Sequence, residues 1–280
     1  MASSMTFFEA QRWASLFIQE HQLEPEVAHY LLTKRLDWSD TDLLLHYRDQ
    51  MTPAQLQQFQ KDIDQYVNGH PPQYILGKAD FYGETLAVNS DVLIPRPETE
   101  ELVDWILQTH DERPLNVLDV GTGSGAIAIA LQMNRPDWQV TGSDISVNAL
   151  KVAAKNANVR NLPIKWIESD LFSLIFDKKY DLIVSNPPYI SENEVKYMDE
   201  SVIKYEPHLA LFAEDNGLAL YQKIADHFQS VAKPHGDIFL EIGFHQETAV
   251  VDIFKRAVPG AKIETRKDFN GNSRMIRVKY

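Results

Sequence analysis

From Asn116 onward, short apolar runs alternate with amphipathic segments. The first run enters a glycine turn, Val117-Leu118-Asp119-Val120-Gly121-Thr122-Gly123-Ser124-Gly125, and the apolar-periodic Ala126–Leu131 leaves it. Alternation of this kind argues for a doubly wound α/β sheet, because parallel strands need a crossover segment between them. Strands are expected near 116–120, 139–143, 164–168, 180–185, 237–242, 261–266 and 273–279. The last two flank Asn270-Gly271-Asn272 and read as a hairpin, which makes the final strand antiparallel. Glycines in the first turn permit positive φ and let the backbone approach a ligand with no Cβ in the way. Their spacing is G-x-G-x-G, so the dinucleotide pattern G-x-G-x-x-G is not matched. The second strand, Gln139–Ser143, ends in Asp144, where a carboxylate is placed to accept from both hydroxyls of a ribose. Asp144 is equally suited to cap a helix over Asn148–Ala157, and the two roles are compatible.

The run Tyr180–Ser185 reads as a buried strand, and Asn186-Pro187-Pro188-Tyr189 follows at its carboxyl end, the edge where open α/β sheets bind ligands. The tetrapeptide suits a planar, weakly nucleophilic NH2 group. An asparagine side-chain oxygen and a backbone carbonyl can each accept one of its two hydrogens. Pro187 has no N–H, fixes its own φ and restricts Asn186 to extended geometry, which holds those acceptors in place. Tyr189 offers an aromatic wall for a flat group. A plain proline turn after a strand is the alternative, and the upstream glycine loop and Asp144 weigh against it.

These residues resemble the S-adenosylmethionine-dependent methyltransferases that modify planar amino or amide nitrogens. Within them the match is closer to the glutamine-N5 methyltransferases of peptide chain release factors. It is carried by Pro72–Gly77, Phe81-Tyr82-Gly83, Val92-Leu93-Ile94-Pro95-Arg96-Pro97-Glu98-Thr99-Glu100, Ser185–Ile190, Gly217-Leu218 with Tyr221, and Leu240-Glu241-Ile242-Gly243. It runs from about residue 5 to the C-terminus, and the Ile94–Glu100 block is far more specific than the glycine loop. The resemblance implies a Rossmann-like methyltransferase sheet of seven strands with a reversed last strand, a small N-terminal helical bundle and a hairpin linker. It implies S-adenosyl-L-methionine as cofactor, S-adenosyl-L-homocysteine as product, and the glutamine of a Gly-Gly-Gln loop in class 1 release factors as target. The cofactor's methionine part is then expected over Gly121, Thr122, Gly123, Ser124 and Gly125, its ribose on Asp144 beside Ile145, and its adenine near Asp170-Leu171. Asp119 is either an acceptor for the cofactor's ammonium or a stabiliser of the turn. Asn186, Pro187 and Tyr189 are expected at the chemistry, with Asn186 also touching cofactor. Pro188, Arg96 and Glu100 are expected on the substrate side, the last two ordering the pocket floor.

Residues 5–69 carry helical patterning over Phe7–Glu20, Pro25–Lys34, Ser39–Leu45 and Pro53–Asn68, with starts marked by Pro25, Ser39-Asp40 and Thr52-Pro53. The expected organisation is a helical substrate-recognition domain over 1–70, a linker over 71–97 and a methyltransferase domain over 98–280. Thr85–Val88 and Val92–Ile94 are expected to pair as the linker hairpin. Residues 190–216 form a long polar insertion that leaves from Tyr189, and segments of that length are usually functional.

Composition excludes several classes. With 27 basic against 40 acidic side chains and a net charge of −13, the chain is poorly suited to phosphate backbones, so no direct nucleic-acid partner is expected. The absence of cysteine removes thiolate metal sites, cysteine nucleophiles and disulfides. The start lacks the pattern of a signal peptide, no run of about 18 apolar residues occurs, and a cytoplasmic monomer with no membrane contact and no metal is expected. A DNA adenine-N6 methyltransferase would use the same tetrapeptide on a flipped base but needs a basic groove. A nicotinamide-dependent oxidoreductase, or a non-catalytic binding module on this fold, gives no reason for Asn186–Tyr189. Glutamine methyltransferases of ribosomal proteins remain the realistic alternative.

Overall fold

The computed structural model describes residues 5–175 and 178–280. The chain forms two compact units. One runs through Lys78 and takes in Glu200–Tyr205; the other comprises Ala79–Asp199 and Glu206–Tyr280.

The first unit is helical, over Phe7–Glu20, Val27–Leu36, Asp40–His46 and Pro53–Val67. Three of these begin with reciprocal caps, in which the Thr6, Ser39 and Thr52 side chains accept from the backbone of Glu9, Asp42 and Gln55, whose side chains reach back. Each helix turns apolar residues inward, and Ala14, Ile18, Leu31, Leu43, Phe59 and Ile63 form one core. A further helix, Pro72–Leu76, lies beyond the four segments expected from sequence; Pro72 occupies the first helical turn, where its missing N–H costs nothing. Arg35 ties it down by donating to the Ile75 carbonyl at 2.9 Å and bidentately to the buried Asp62 carboxylate, at 2.8 Å on each oxygen.

The linker hairpin is shifted from its expected place. Its strands are β1 (Lys78–Phe81) and β2 (Glu84–Ala87), and the turn is Tyr82-Gly83. Both turn residues have positive φ, 50° and 79°, as a two-residue hairpin turn of the favoured hand demands. Val92–Ile94 does not pair back on β2. The Ile94 amide is taken by the Glu206 carboxylate at 3.2 Å instead of by a strand.

The second unit is built on a sheet of β3 (Asn116–Val120), β4 (Gln139–Asp144), β5 (Lys165–Glu168), β6 (Tyr180–Ser185), β7 (Ala232–Glu241), β8 (Lys262–Lys267) and β9 (Ser273–Lys279). Their order is β5-β4-β3-β6-β7-β9-β8, parallel from β5 to β7, with β9 antiparallel to both its neighbours. Strand residues alternate between two cores. Val117, Leu182, Val184 and Phe239 face one side with the helices Pro97–Thr109 and Ala126–Asn134. Leu118, Ile183, Ile238 and Leu240 face the other, with Ala219–Val231 and Glu247–Ala257.

The chain proceeds from β3 outward to β4 and β5, then returns to β6 on the other side of β3. That reversal is a topological switch point, where a crevice opens beyond the strands' carboxyl ends. Val120 pairs with Ser185 across it, so Gly121 and Asn186 leave the sheet side by side. The insertion after Tyr189 is not structureless. It holds short 3-10 turns at Glu192–Tyr197 and His208–Ala210 and the helix Glu200–Tyr205. No described helix is long and apolar enough to cross a membrane.

Candidate active site

A cavity of about 330 Å³ lies at the switch point. Its wall includes Gly121, Thr122, Gly123, Ser124, Asp144, Ile145, Asp170 and Leu171 on one side and Arg96, Thr99, Asn186 and Pro188 on the other. Eleven of these twelve were expected from sequence; Thr99 was not. Asp119, Gly125, Pro187, Tyr189 and Glu100 do not line it.

The glycine side is shaped by backbone. Gly121 and Gly123 have φ of 70° and 55°, and a Cβ built on either would meet nothing within 4 Å. The loop therefore presents bare peptide surface to the cavity. Gly125 (φ 82°) turns inward: a Cβ there would stand 3.1 Å from Ala153, so this glycine allows the close approach of the later helix Val147–Val159. The Asp144 carboxylate accepts from the Gly123 amide at 2.9 Å and the Ser146 amide at 2.8 Å. The N-cap expected of Asp144 belongs to Ser146, whose hydroxyl accepts from the Ala149 amide ahead of the helix Val147–Val159. Burial raises the Asp144 pKa, and those amides pull it back. Beneath the loop, Asp119 is fully buried. Its Oδ2 accepts from the Thr122 hydroxyl at 2.5 Å and the Ala128 amide at 3.2 Å, while Oδ1 has no protein partner. Burial pushes its pKa up to about 7. Bare glycine peptides and a carboxylate on the rim suit a ligand carrying a ribose.

The opposite side is built from side chains remote in sequence. Asn186 Nδ2 donates to Thr99 Oγ1 at 3.1 Å, and the Thr99 hydroxyl donates to Glu241 Oε2 at 2.6 Å. The Tyr189 hydroxyl donates to the other oxygen, Oε1, at 3.2 Å. Glu241 is 1% exposed; burial raises its pKa, while the Thr99 hydroxyl, the Arg274 charge and the Tyr189 hydroxyl favour its charged form. Burial, followed by the Glu241 charge, pushes the Tyr189 phenol well up. Tyr189 is thus an anchor, packed on the sheet core, rather than the aromatic wall expected of it. Its carbonyl accepts from Gln246 Nε2 at 2.9 Å, and Gly217 passes so close that an added Cβ would lie 2.0 Å from that oxygen.

Arg96 lines the cavity and is ion-paired with Glu206, whose side chain is 1% exposed. Through this pair and the Ile94 amide, the end of the insertion is fastened beside the cavity, and Pro207, Leu209 and Ala210 join its wall. Glu100 points elsewhere. Its carboxylate accepts the Tyr82 amide at 2.9 Å and supports that residue's positive φ in the hairpin turn. Sequence reasoning therefore gave no individual role to Thr99, Glu241 or Glu206. Acidic residues inside or beside apolar runs were the available signal for the last two. Thr99 carried none beyond its place in the Ile94–Glu100 block.

Two families match this chain: "PrmC N-terminal domain" over residues 9–77 and "Methyltransferase small domain" over residues 99–206. The release factor glutamine methyltransferase of Enterococcus faecalis is 44% identical over 269 residues, covering 96% of this chain and 97% of that protein. That of Streptococcus pneumoniae is 47% identical over 256 residues, covering 91% of each. Among solved structures, a methyltransferase from Pyrococcus furiosus aligns with a TM-score of 0.52 at 17% identity, covering 69% of this chain and 87% of that one, which speaks to the fold alone. On these matches, which extend from the helical unit through the glycine loop to the end of the sheet, the chain belongs to the release factor glutamine methyltransferase family.

Proposed function

We propose that this chain transfers a methyl group from S-adenosyl-L-methionine to the N5 side-chain amide nitrogen of the Gly-Gly-Gln glutamine in class 1 peptide chain release factors. One observation carries the reading. A single cavity is walled by the bare glycine loop and Asp144 on one side and by Asn186 and Pro188 on the other. The names of the relatives supply the target.

Gly121–Ser124 would hold the methionine part of the cofactor, Asp144 its ribose, and Asp170-Leu171 its base. Asp119 serves the glycine turn through Thr122 and Ala128, and its open oxygen is suited to a nearby ammonium. When bound, the cofactor supplies a methyl group already activated on a sulfonium, which leaves placement and charge complementarity to the protein.

An amide nitrogen is a poor nucleophile because its lone pair is delocalised into the carbonyl. Asn186 Oδ1, on the cavity wall, and the Pro187 carbonyl, an acceptor implied by the family resemblance though Pro187 is not among the lining residues, would accept its two hydrogens and turn the lone pair towards the methyl group of a bound cofactor. As positive charge grows on nitrogen, both acceptors bind more strongly than in the ground state, which is how they lower the barrier. Holding the two reactants in line contributes further, with about 7–11 kcal/mol as the upper range for such positioning. The proton leaves afterwards, since the positively charged, still N-protonated methylated amide is strongly acidic, and no dedicated base is required beforehand.

The helical region over 1–70 is assigned to recognition of the release factor, 71–97 to the linker and 98–280 to catalysis. The enzyme acts as a monomer that pairs transiently with its substrate in the cytoplasm, without direct nucleic-acid contact. The test is methyl transfer from labelled S-adenosylmethionine to release factor, to its Gly-Gly-Gln Gln→Ala variant, to ribosomal proteins and to duplex DNA. Label on the unmodified factor alone is expected. Label on DNA or on a ribosomal protein in its place overturns the assignment.

A further inference from the structure

We infer that Thr99 and Glu241 are positioning residues that decide which edge of the Asn186 amide meets the target, an inference that rests on the glutamine-methylation reading above. An asparagine amide is nearly symmetric in shape but not in chemistry. With Oδ1 outward it accepts from an NH2 target; with Nδ2 outward it sets donor against donor. Something in the fold has to break that symmetry.

Thr99 does so. Its hydroxyl has one hydrogen, and that hydrogen is donated at 2.6 Å to Glu241 Oε2. Burial raises the Glu241 pKa, but the Thr99 hydroxyl, the Arg274 charge and the Tyr189 hydroxyl all favour the charged form, which can only accept. Only lone pairs of Thr99 Oγ1 then face Asn186, and only Nδ2, at 3.1 Å, can meet them. The chain of donors therefore runs one way, from Asn186 to Thr99 to Glu241, and leaves Oδ1 for the substrate. The Tyr189 hydroxyl fills Glu241 Oε1 at 3.2 Å, and the Arg274 charge favours the ionised carboxylate. Thr99 is 5% and Glu241 1% exposed, so little water competes for these bonds, and in such surroundings linked hydrogen bonds polarise one another. Withdrawal of Nδ2–H towards Thr99 and the Glu241 carboxylate behind it also raises electron density on Oδ1, the atom that must stabilise growing positive charge.

The arrangement follows from topology. Ser185 pairs with Leu240, so Asn186 and Glu241 each stand one residue beyond at adjacent strand ends. Glu241 shares a face with Phe239, over which Trp105 sits edge-on at 5.2 Å. The helix Pro97–Thr109 is thereby laid on that face, with Thr99 in its first turn above the carboxylate.

The test uses the full chain with Thr99→Val, which keeps the shape and removes the hydroxyl, and Thr99→Ser, which restores it. Thr99→Val is expected to lower kcat on release factor at least tenfold, with S-adenosylmethionine affinity by calorimetry and KM for the factor unchanged within about threefold. Thr99→Ser should recover most of the lost turnover. Equal losses in both variants would mean packing rather than the hydroxyl, and wild-type kcat in Thr99→Val would mean no role; either overturns the inference. The Asn186 side-chain NH2 signal in ¹⁵N spectra gives a readout independent of substrate. It should shift and exchange faster in Thr99→Val and not in Thr99→Ser, and an unmoved signal overturns the inference. If wild-type enzyme labels no release factor, the glutamine assignment falls, while the amide signal still decides the role of Thr99.

Discussion

The two sides of the cavity are made in different ways. On the glycine side, the polar bonds join residues three, nine and twenty-one positions apart: Thr122 to Asp119, Ala128 to Asp119, Gly123 to Asp144. On the acceptor side they join residues 52, 87 and 142 positions apart: Tyr189 to Glu241, Asn186 to Thr99, Thr99 to Glu241. One side is a short motif that organises itself wherever a strand enters a helix. The other exists only after β6, β7 and the helix before β3 have been brought together. The glycine side should therefore tolerate loss of acceptor residues, and the acceptor side should fail without much effect on cofactor.

Substitutions can break that comparison, and the largest effect belongs to the acceptor side. Asn186→Ala should reduce kcat by roughly 100- to 1,000-fold, or about 2.7–4 kcal/mol by analogy with the loss of one oxyanion donor, with cofactor affinity nearly intact. Rapid-quench turnover beside calorimetry decides it, and collapse of affinity with turnover preserved would reverse the assignment of sides. Next comes Asp144→Ala, which should weaken cofactor binding by about 1.5–3 kcal/mol, the range for hydrogen bonds to a charged group. At saturating cofactor its kcat should stay close to wild type. A kcat loss at saturation matching that of Asn186→Ala would show that the sides are not separable.

Asp119 sharpens the comparison through pH. Its pKa in the folded protein is pushed up to about 7, above the ordinary carboxylate value of 3.8. Between those values the folded chain keeps a proton that the unfolded chain has lost, so this group's contribution to stability falls as pH rises through the window. Relative to Asp119→Asn, the cofactor-free wild type should gain stability as pH is lowered from about 7 towards 4, by at most about 1.4 kcal/mol for each pH unit. Urea midpoints for both proteins across that range test the sign; a difference that grows in the opposite direction removes the buried, protonated carboxylate. The smallest effect is a control in the helical unit. Thr52→Ala deletes a reciprocal cap and should cost about 1 kcal/mol in unfolding, with cofactor affinity unchanged.

What was legible in the sequence follows the same division. The strands were readable because buried parallel strands are continuous apolar runs, and the starts at Ser39 and Thr52 because their caps lie within three residues. The reversed last strand was readable from Asn270-Gly271-Asn272, a local turn signal. The linker hairpin was misplaced because Ile94 has a partner 112 residues away in Glu206, which no local pattern announces. Tyr189 beside two prolines looked like a wall for a ligand. The hydroxyl that fixes it inward answers to Glu241 on another strand. Glu100 stood out as the charged end of a specific block, yet its neighbour Thr99 reaches the cavity while Glu100 serves a turn. On one helix turn, which of two adjacent polar residues faces the sheet depends on how the helix is seated, here by Trp105 on Phe239.

The insertion after Tyr189 leaves and re-enters at the same place. The Ile190 amide donates to the Leu211 carbonyl, the Ala213 amide donates back to Ile190, and Gly217 closes against Tyr189. A loop clasped at its neck is a detachable cassette. Lengthening it adds little closure entropy, only about 0.6 kcal/mol per doubling. The stretch ahead of Glu206 can be rewritten while Glu206 still holds Arg96 and the cavity wall beyond it is unchanged. Grafting the corresponding segment of a relative between Ser191 and Glu206, which keeps Glu206, Pro207, Leu209 and Ala210 in place at the cavity, should leave cofactor affinity unmoved, and a graft that abolished it would show that the clasp transmits. Change in the outer part of the loop and change in the acceptor residues beneath it can thus be inherited separately within one chain.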